Sequence, residues 1–153
     1  MRALVLTLVL AAPTAFAQDG PDPGSAQPAE AVRAAVVQLF DGMRAGDSSR
    51  VASVLHPDVR FHTVTRSGER HALQPGDPAA FLAALATSDV VWDEQIGDID
   101  VRVDDGLATA WMAYRFYAGE QFSHCGVNAM QFVQDAAGWR ILSLIDTRRR
   151  GCE

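Results

Sequence analysis

Near the end of the chain, His124 and Asn128 stand four residues apart among Phe122, Met130 and Phe132. Imidazole titrates near neutrality and can give or take a proton, and a carboxamide can hold a ligand carbonyl by donation. On a strand, residues four apart share a face, so the two would form a hydrogen-bonding pair on an aromatic wall. The plain alternatives are a histidine bonded to backbone and an asparagine satisfied in the core. The sequence leaves both readings open. His124 is the candidate for proton transfer, and no complete catalytic set is assigned.

The run Ser123-His124-Cys125 does not read as a triad, because strand neighbours point to opposite faces unless a bulge intervenes. Cys125 lacks an activating base on its own face and reads as a buried thiol or half of a disulfide. Asp146 could serve as a general base or orient the histidine, or it could pair with Arg115, Arg148 or another arginine. A hairpin turning over Asp135 to Gly138 puts Asp146 on the Cys125 face, opposite His124, and a one-residue slip reverses that. Tyr114 shares a face with Met112 and Phe116, while Trp111 points the other way. The candidate ligand-binding residues are therefore Trp111, Tyr114, Phe116, His124, Asn128, Met130 and Asp146.

The other histidines rank lower. His62 would face outward if Phe61 is core, His56 sits before Pro57 at an expected helix end, and His71 lies near a turn. No histidine pair has metal-ligand spacing and no phosphate-binding glycine loop is present, so neither metal nor cofactor is expected. Lysine is absent, which excludes Schiff-base chemistry.

The elements that must position these groups follow from periodicity. Val32, Val36, Leu39, Phe40 and Met43 form one face of a helix beginning near Pro28 and ending at Gly46. Asp47 caps a short second helix through Val51, Val54 and Leu55, stopped by Pro57. Val59 to Val64 alternates as a strand, Ser67-Gly68 turns it, and a return segment runs near Leu73. Asp77-Pro78 opens a third helix with Phe81, Leu82 and Leu85 inward. The remainder is strand. Ile99 to Val103 has one wet face, Asp104-Asp105-Gly106 makes a hairpin turn, and three long strands follow, turning near Gly119 and Gly138. Ala108 to Tyr117 is apolar on both faces, as a central strand would be. Helices grouped at one end of an antiparallel sheet make an α+β fold, in which the long strands curl around the first helix and leave a cavity.

Composition sets the compartment. Residues 1–17 have a positive start, a short apolar run and Ala15-Phe16-Ala17, which reads as a cleaved secretory signal with Gln18 beginning the mature chain. Residues 18–28 read as a disordered linker, and residues 29–150 as one domain. The protein is expected to be secreted or periplasmic, with no membrane anchor after cleavage. Two cysteines, Cys125 and Cys152, can pair there if the tail folds back at Gly151. A net charge of -6 argues against a nucleic-acid partner. Arg148-Arg149-Arg150 reads as a solvated tail.

The helix AVRAAVVQLFDGMRAGD with LHPDVRF after it, the strand ATAWMAYRFY, and the closing hairpin FSHCGVNAMQFVQDAAGWRILSLIDTRRRGC resemble the nuclear transport factor 2-like superfamily. The start and the GWRIL strand are similar to its SnoaL-like and lumazine-binding branches. The resemblance implies a cystatin-like, cone-shaped α+β barrel, N-terminal helices packed on a curved antiparallel sheet, a deep apolar pocket and a homodimer formed through the sheet. Catalytic residues differ from branch to branch in this superfamily, so it implies a pocket and not a mechanism. The expected function is an exported domain that binds a small apolar or aromatic molecule. The alternatives are a lyase or isomerase using His124 and a homodimeric interaction module without an active pocket.

Overall fold

A computed structural model describes residues 26–152. The expected signal peptide and most of the expected linker lie outside them. Helix α1 spans Ala26–Ala45, so the last three residues of that linker are helical, and Pro28 occupies the first helical turn, where its missing N–H is harmless. Val32, Val36, Leu39, Phe40 and Met43 are all buried, as their spacing predicts. Gly46, at φ 66°, ends the helix where a side chain would be strained.

Asp47 caps α2 (Ser48–Ala52) by accepting from the Arg50 N–H. This helix is shorter than expected. Leu55 and Pro57 belong instead to β1 (Leu55–Ser67), and the His56 Nδ1 accepts from the Asp58 N–H rather than facing a helix end. A proline near the start of a strand ends no helix when the chain has already turned at Ser53. Then follow β2 (Arg70–Gly76) and α3 (Pro78–Ala86), the latter capped by Asp77. The remaining strands are β3 (Trp92–Ile96), β4 (Asp100–Asp104), β5 (Leu107–Ala118), β6 (Gln121–Asp135) and β7 (Gly138–Thr147).

The seven strands form one curved, unclosed sheet in the order β2-β1-β7-β6-β5-β3, with β4 also on β5. The expected α+β cone is formed. It differs from the expected antiparallel sheet in one pairing: β1 runs parallel to β7, with Thr63 opposite Asp146. That pair joins strands from opposite ends of the domain, so no hairpin could have signalled it.

The concave face of the sheet packs on α1 around Met112, Met130, Phe132 and Ile141, each essentially excluded from water. β5 does not have two buried faces. Ala108, Ala110, Met112 and Tyr114 point inward, whereas Leu107 and Trp111 are 53% and 57% exposed on the convex side.

Two bulges set the registers that matter. In β5–β6, Phe116 pairs with His124 but Tyr117 pairs with Phe122, leaving Ser123 as the extra residue. In β6–β7, Gln131 pairs with Ser143 but Phe132 with Ile141, leaving Leu142 extra. The second bulge is the one-residue slip that a plain hairpin lacks. It places Asp146 opposite Asn128, on the same face as His124, and so reverses the side expected from the turn alone. The same shift brings Cys125 opposite Arg149, and the chain folds back to join Cys125 to Cys152 in a disulfide with Cα atoms 6.2 Å apart.

Candidate functional site

A cavity of about 170 Å³ opens between the helices and the concave sheet. α1 supplies Leu39, Phe40 and Met43, and α3 supplies Phe81, all apolar. Phe61 on β1 and Leu144 on β7 extend that lining. The sheet supplies the polar wall: Glu94 from β3, Tyr114 from β5, His124 and Asn128 from β6, Asp146 from β7 and Arg148 just beyond it.

Asp146 is the most heavily bonded of these groups. Thr63 Oγ1 donates to its Oδ1 at 2.6 Å, and Arg148 Nε donates to its Oδ2 at 2.7 Å. The Tyr114 hydroxyl lies 3.0 Å from Oδ2 and 3.0 Å from the Thr147 carbonyl, and donates to one of them at a time. The ion pair with Arg148 is the plainer of the readings open for Asp146, and it is the one formed. Burial, reinforced by the Asp146 charge, pushes the Tyr114 phenol well above its usual range, so it remains a donor.

Glu94 has a different environment. It is 9% exposed, and its Oε1 accepts from Asn128 Nδ2 at 2.7 Å. Burial raises its pKa to about 7 against the opposing effect of the Asn128 bond, with Asp146 raising it further. Near neutral pH this carboxyl exists in both protonation states. Burial, and then the positive charge of Arg148, lowers the His124 pKa, so that ring is neutral. Its Nδ1 lies 3.0 Å from Ser123 Oγ, a contact that only the bulge permits, since unbulged neighbours would point apart. Its ring packs on Tyr114 and Phe116 at centroid distances of 5.7 and 5.1 Å.

Of the seven residues expected to bind ligand, Tyr114, His124, Asn128 and Asp146 line the cavity. Phe116 backs the His124 ring instead of lining the space. Met130 is sealed in the core, 1% exposed. Trp111 lies on the convex face, where alternation from Tyr114 must put it. Asn128 bonds Glu94, which no part of the sequence reading singled out. The signal was present but short. Trp92, Glu94 and Ile96 alternate with Asp93 and Gln95, and a five-residue strand carrying two adjacent acids resembles a solvated loop. His62 borders the cavity too, but Phe61 and Thr63 on either side of it point inward and its partner on β7 is Ile145 of the convex face, so its side chain takes the outward position expected from Phe61. Among the described residues, no group of three or more histidine, cysteine, aspartate or glutamate side chains could hold a metal ion.

No family model and no curated protein matches this sequence. Solved structures do. A protein of unknown function from Mycobacterium tuberculosis superposes with a TM-score of 0.67 at 16% identity, covering 85% of this chain and 78% of that one. An NTF2-like protein with a cystatin-like fold from Novosphingobium aromaticivorans gives 0.64 at 17% identity, covering 82% and 84%. An NTF2-like protein from Cytophaga hutchinsonii gives 0.64 at 12% identity, covering 78% and 97%. At these identities the likeness concerns architecture. The chain has the nuclear transport factor 2-like, cystatin-like fold.

Proposed function

We propose that this protein is an exported domain that holds one small, mostly apolar or aromatic molecule in the cavity between α1 and the sheet. The observation that carries this reading is a cavity with an apolar helix wall and a polar sheet wall, on which the Glu94 carboxyl keeps one oxygen unbonded. An engineered apolar cavity of about 150 Å³ binds benzene, so this space suits a single ring with a short polar substituent. The leader-like residues 1–17 and the Cys125–Cys152 disulfide support export. Native mass spectrometry of protein purified from its own periplasm should show a retained small molecule and a chain beginning at Gln18. Ligand-observed NMR with a panel of single-ring aromatics should show binding, and a panel in which none binds would overturn the reading.

A second reading has its own observation: three groups able to donate or accept a proton, Glu94, Tyr114 and His124, share the one cavity. That arrangement suits a lyase or isomerase reaction. Glu94 then becomes the stronger proton acceptor, with His124 and Tyr114 as donors to a developing oxyanion. The check is exchange of the α-protons of cyclohexanone for deuterium. Protein-dependent exchange that rises through about pH 7 and vanishes in Glu94→Gln supports catalysis, and its absence at every pH removes it.

The exposed convex stripe around Trp111 supports the further proposal of a homodimer formed through the sheet.

A further inference from the structure

We propose that the ligand of the cavity is a small ring-bearing amine, held as its ammonium ion against Glu94. This deepens the small-molecule reading above and rests on it. The argument begins with charge. Two carboxyls, Glu94 and Asp146, meet one guanidinium, Arg148, on the polar wall. Asp146 takes the guanidinium, together with the hydroxyl of Thr63 and that of Tyr114 when it turns that way. Glu94 receives a single neutral amide, Asn128. The ionised carboxylate at 94 therefore has no counter-charge of its own.

The second oxygen of Glu94 supplies the geometry. No fully buried side-chain oxygen or nitrogen among the described residues lacks a hydrogen-bond partner. Oε2 of Glu94 has none, so it is not sealed in protein, and Glu94 borders the cavity. A donor arriving from that space would complete it. If a neutral ligand were the only requirement, glutamine would bond Asn128 equally well without the desolvation penalty of a buried acid. A cationic donor offsets that penalty, because an ammonium–carboxylate hydrogen bond in a dry site is about twice as strong as a neutral one. The walls agree with this. Phe40, Phe61, Phe81 and Tyr114 border the same space, and the face of an aromatic ring attracts a cation.

The other groups facing Glu94 do not supply the missing charge. From β6 comes a neutral His124, from β5 a phenol, and from α1 only hydrocarbon. Arg148 acts on Glu94 through space only, since its hydrogen bond goes to Asp146, and Asp77 at the start of α3, which also borders the cavity, accepts from the backbone N–H groups of Ala79 and Ala80 through Oδ1.

Calorimetric titration of the purified protein with benzylamine and with benzyl alcohol, which differ only in the charged head, tests this. Benzylamine should bind at least about ten-fold more tightly near pH 8. Its affinity should fall about thirty-fold by pH 5.5, because the carboxyl must first lose its proton. Near pH 5.5, titrations in buffers of different ionisation enthalpy should show about one proton released per amine bound, a measurement that needs no variant. Glu94→Gln should lose benzylamine binding by about thirty-fold or more and keep benzyl alcohol binding. Benzyl alcohol binding as tightly as the amine, or amine affinity flat across this pH range, would overturn the inference and assign Glu94 to donating a proton to a neutral acceptor. In that case the small-molecule reading stands. Failure of both probes removes the two together.

Discussion

A carboxyl that is 9% exposed and bonded to one neutral amide opposes its own ionisation, and Glu94 is such a group. Its folded-state pKa of about 7 lies above the ordinary glutamate value of 4.5. The folded chain thus binds a proton more tightly than the unfolded chain does. The stability associated with Glu94 is fully present below the unfolded value and is lost as pH rises through about 7. The shift corresponds to roughly 3 kcal/mol at most. Urea denaturation across this range should show the wild type losing stability on that order. Glu94→Gln should keep the Asn128 bond and show a much flatter profile. A wild-type profile that rises from pH 4.5 to 7 would contradict the assignment. At the same scale the sequence made His124, Asn128 and Tyr114 visible, because strand alternation among aromatics marks an inward face, whereas Asp146 was a candidate placed on the opposite face until the bulge in β7 turned it inward. Glu94 stayed hidden for the opposite reason: an acid beside an acid reads as solvated, and only the tertiary burial of β3 makes it inward.

The elements hold the polar wall in register through β6 and β7. Gly126 on β6 lies directly against Thr147 at the end of β7. A Cβ there would overlap the Thr147 carbonyl and approach the Tyr114 ring to 2.9 Å. Gly126→Ala should destabilise by about 2–3 kcal/mol and displace the Tyr114 hydroxyl from Asp146, read as a lower Tm and an altered tyrosine environment. The disulfide ties the same region. It closes 27 residues of sequence, worth about 3.5 kcal/mol in a chain-entropy account. Cys152→Ser, or reduction, should lower unfolding stability by about that amount, measured by denaturant titration with and without reductant. Much of this level was legible. The faces of α1, the caps at Asp47 and Asp77, and the turns at Gly68, Gly119 and Gly138 follow from local chemistry. The bulges at Ser123 and Leu142 were not, because both depend on the partner strand, and they decided which side chains share the cavity.

Across the whole molecule, the convex face carries Leu107 and Trp111, more than half exposed, with Ile145 at 37%. Trp111 and Ile145 border a broad open groove of about 510 Å³ that also includes Arg102 and Asp100. If the homodimer forms through the sheet, Trp111→Glu should convert it to monomer without changing the cavity, as read by light scattering on a sizing column. A wild-type monomer at the same concentration removes the proposal.

The placement of β7 between β1 and β6 has a consequence for the chain's history. The first strand finds its inner neighbour more than eighty residues downstream, in the parallel pair Thr63–Asp146. Until β7 has been made, the middle of the sheet is missing and the polar wall lacks Asp146 and Arg148. Any truncation before Gly138 should leave an incomplete product, open to proteases, with no stable remnant. A nascent domain whose central strand arrives this late stays slack for most of its synthesis, and its folding waits on contacts far apart in sequence.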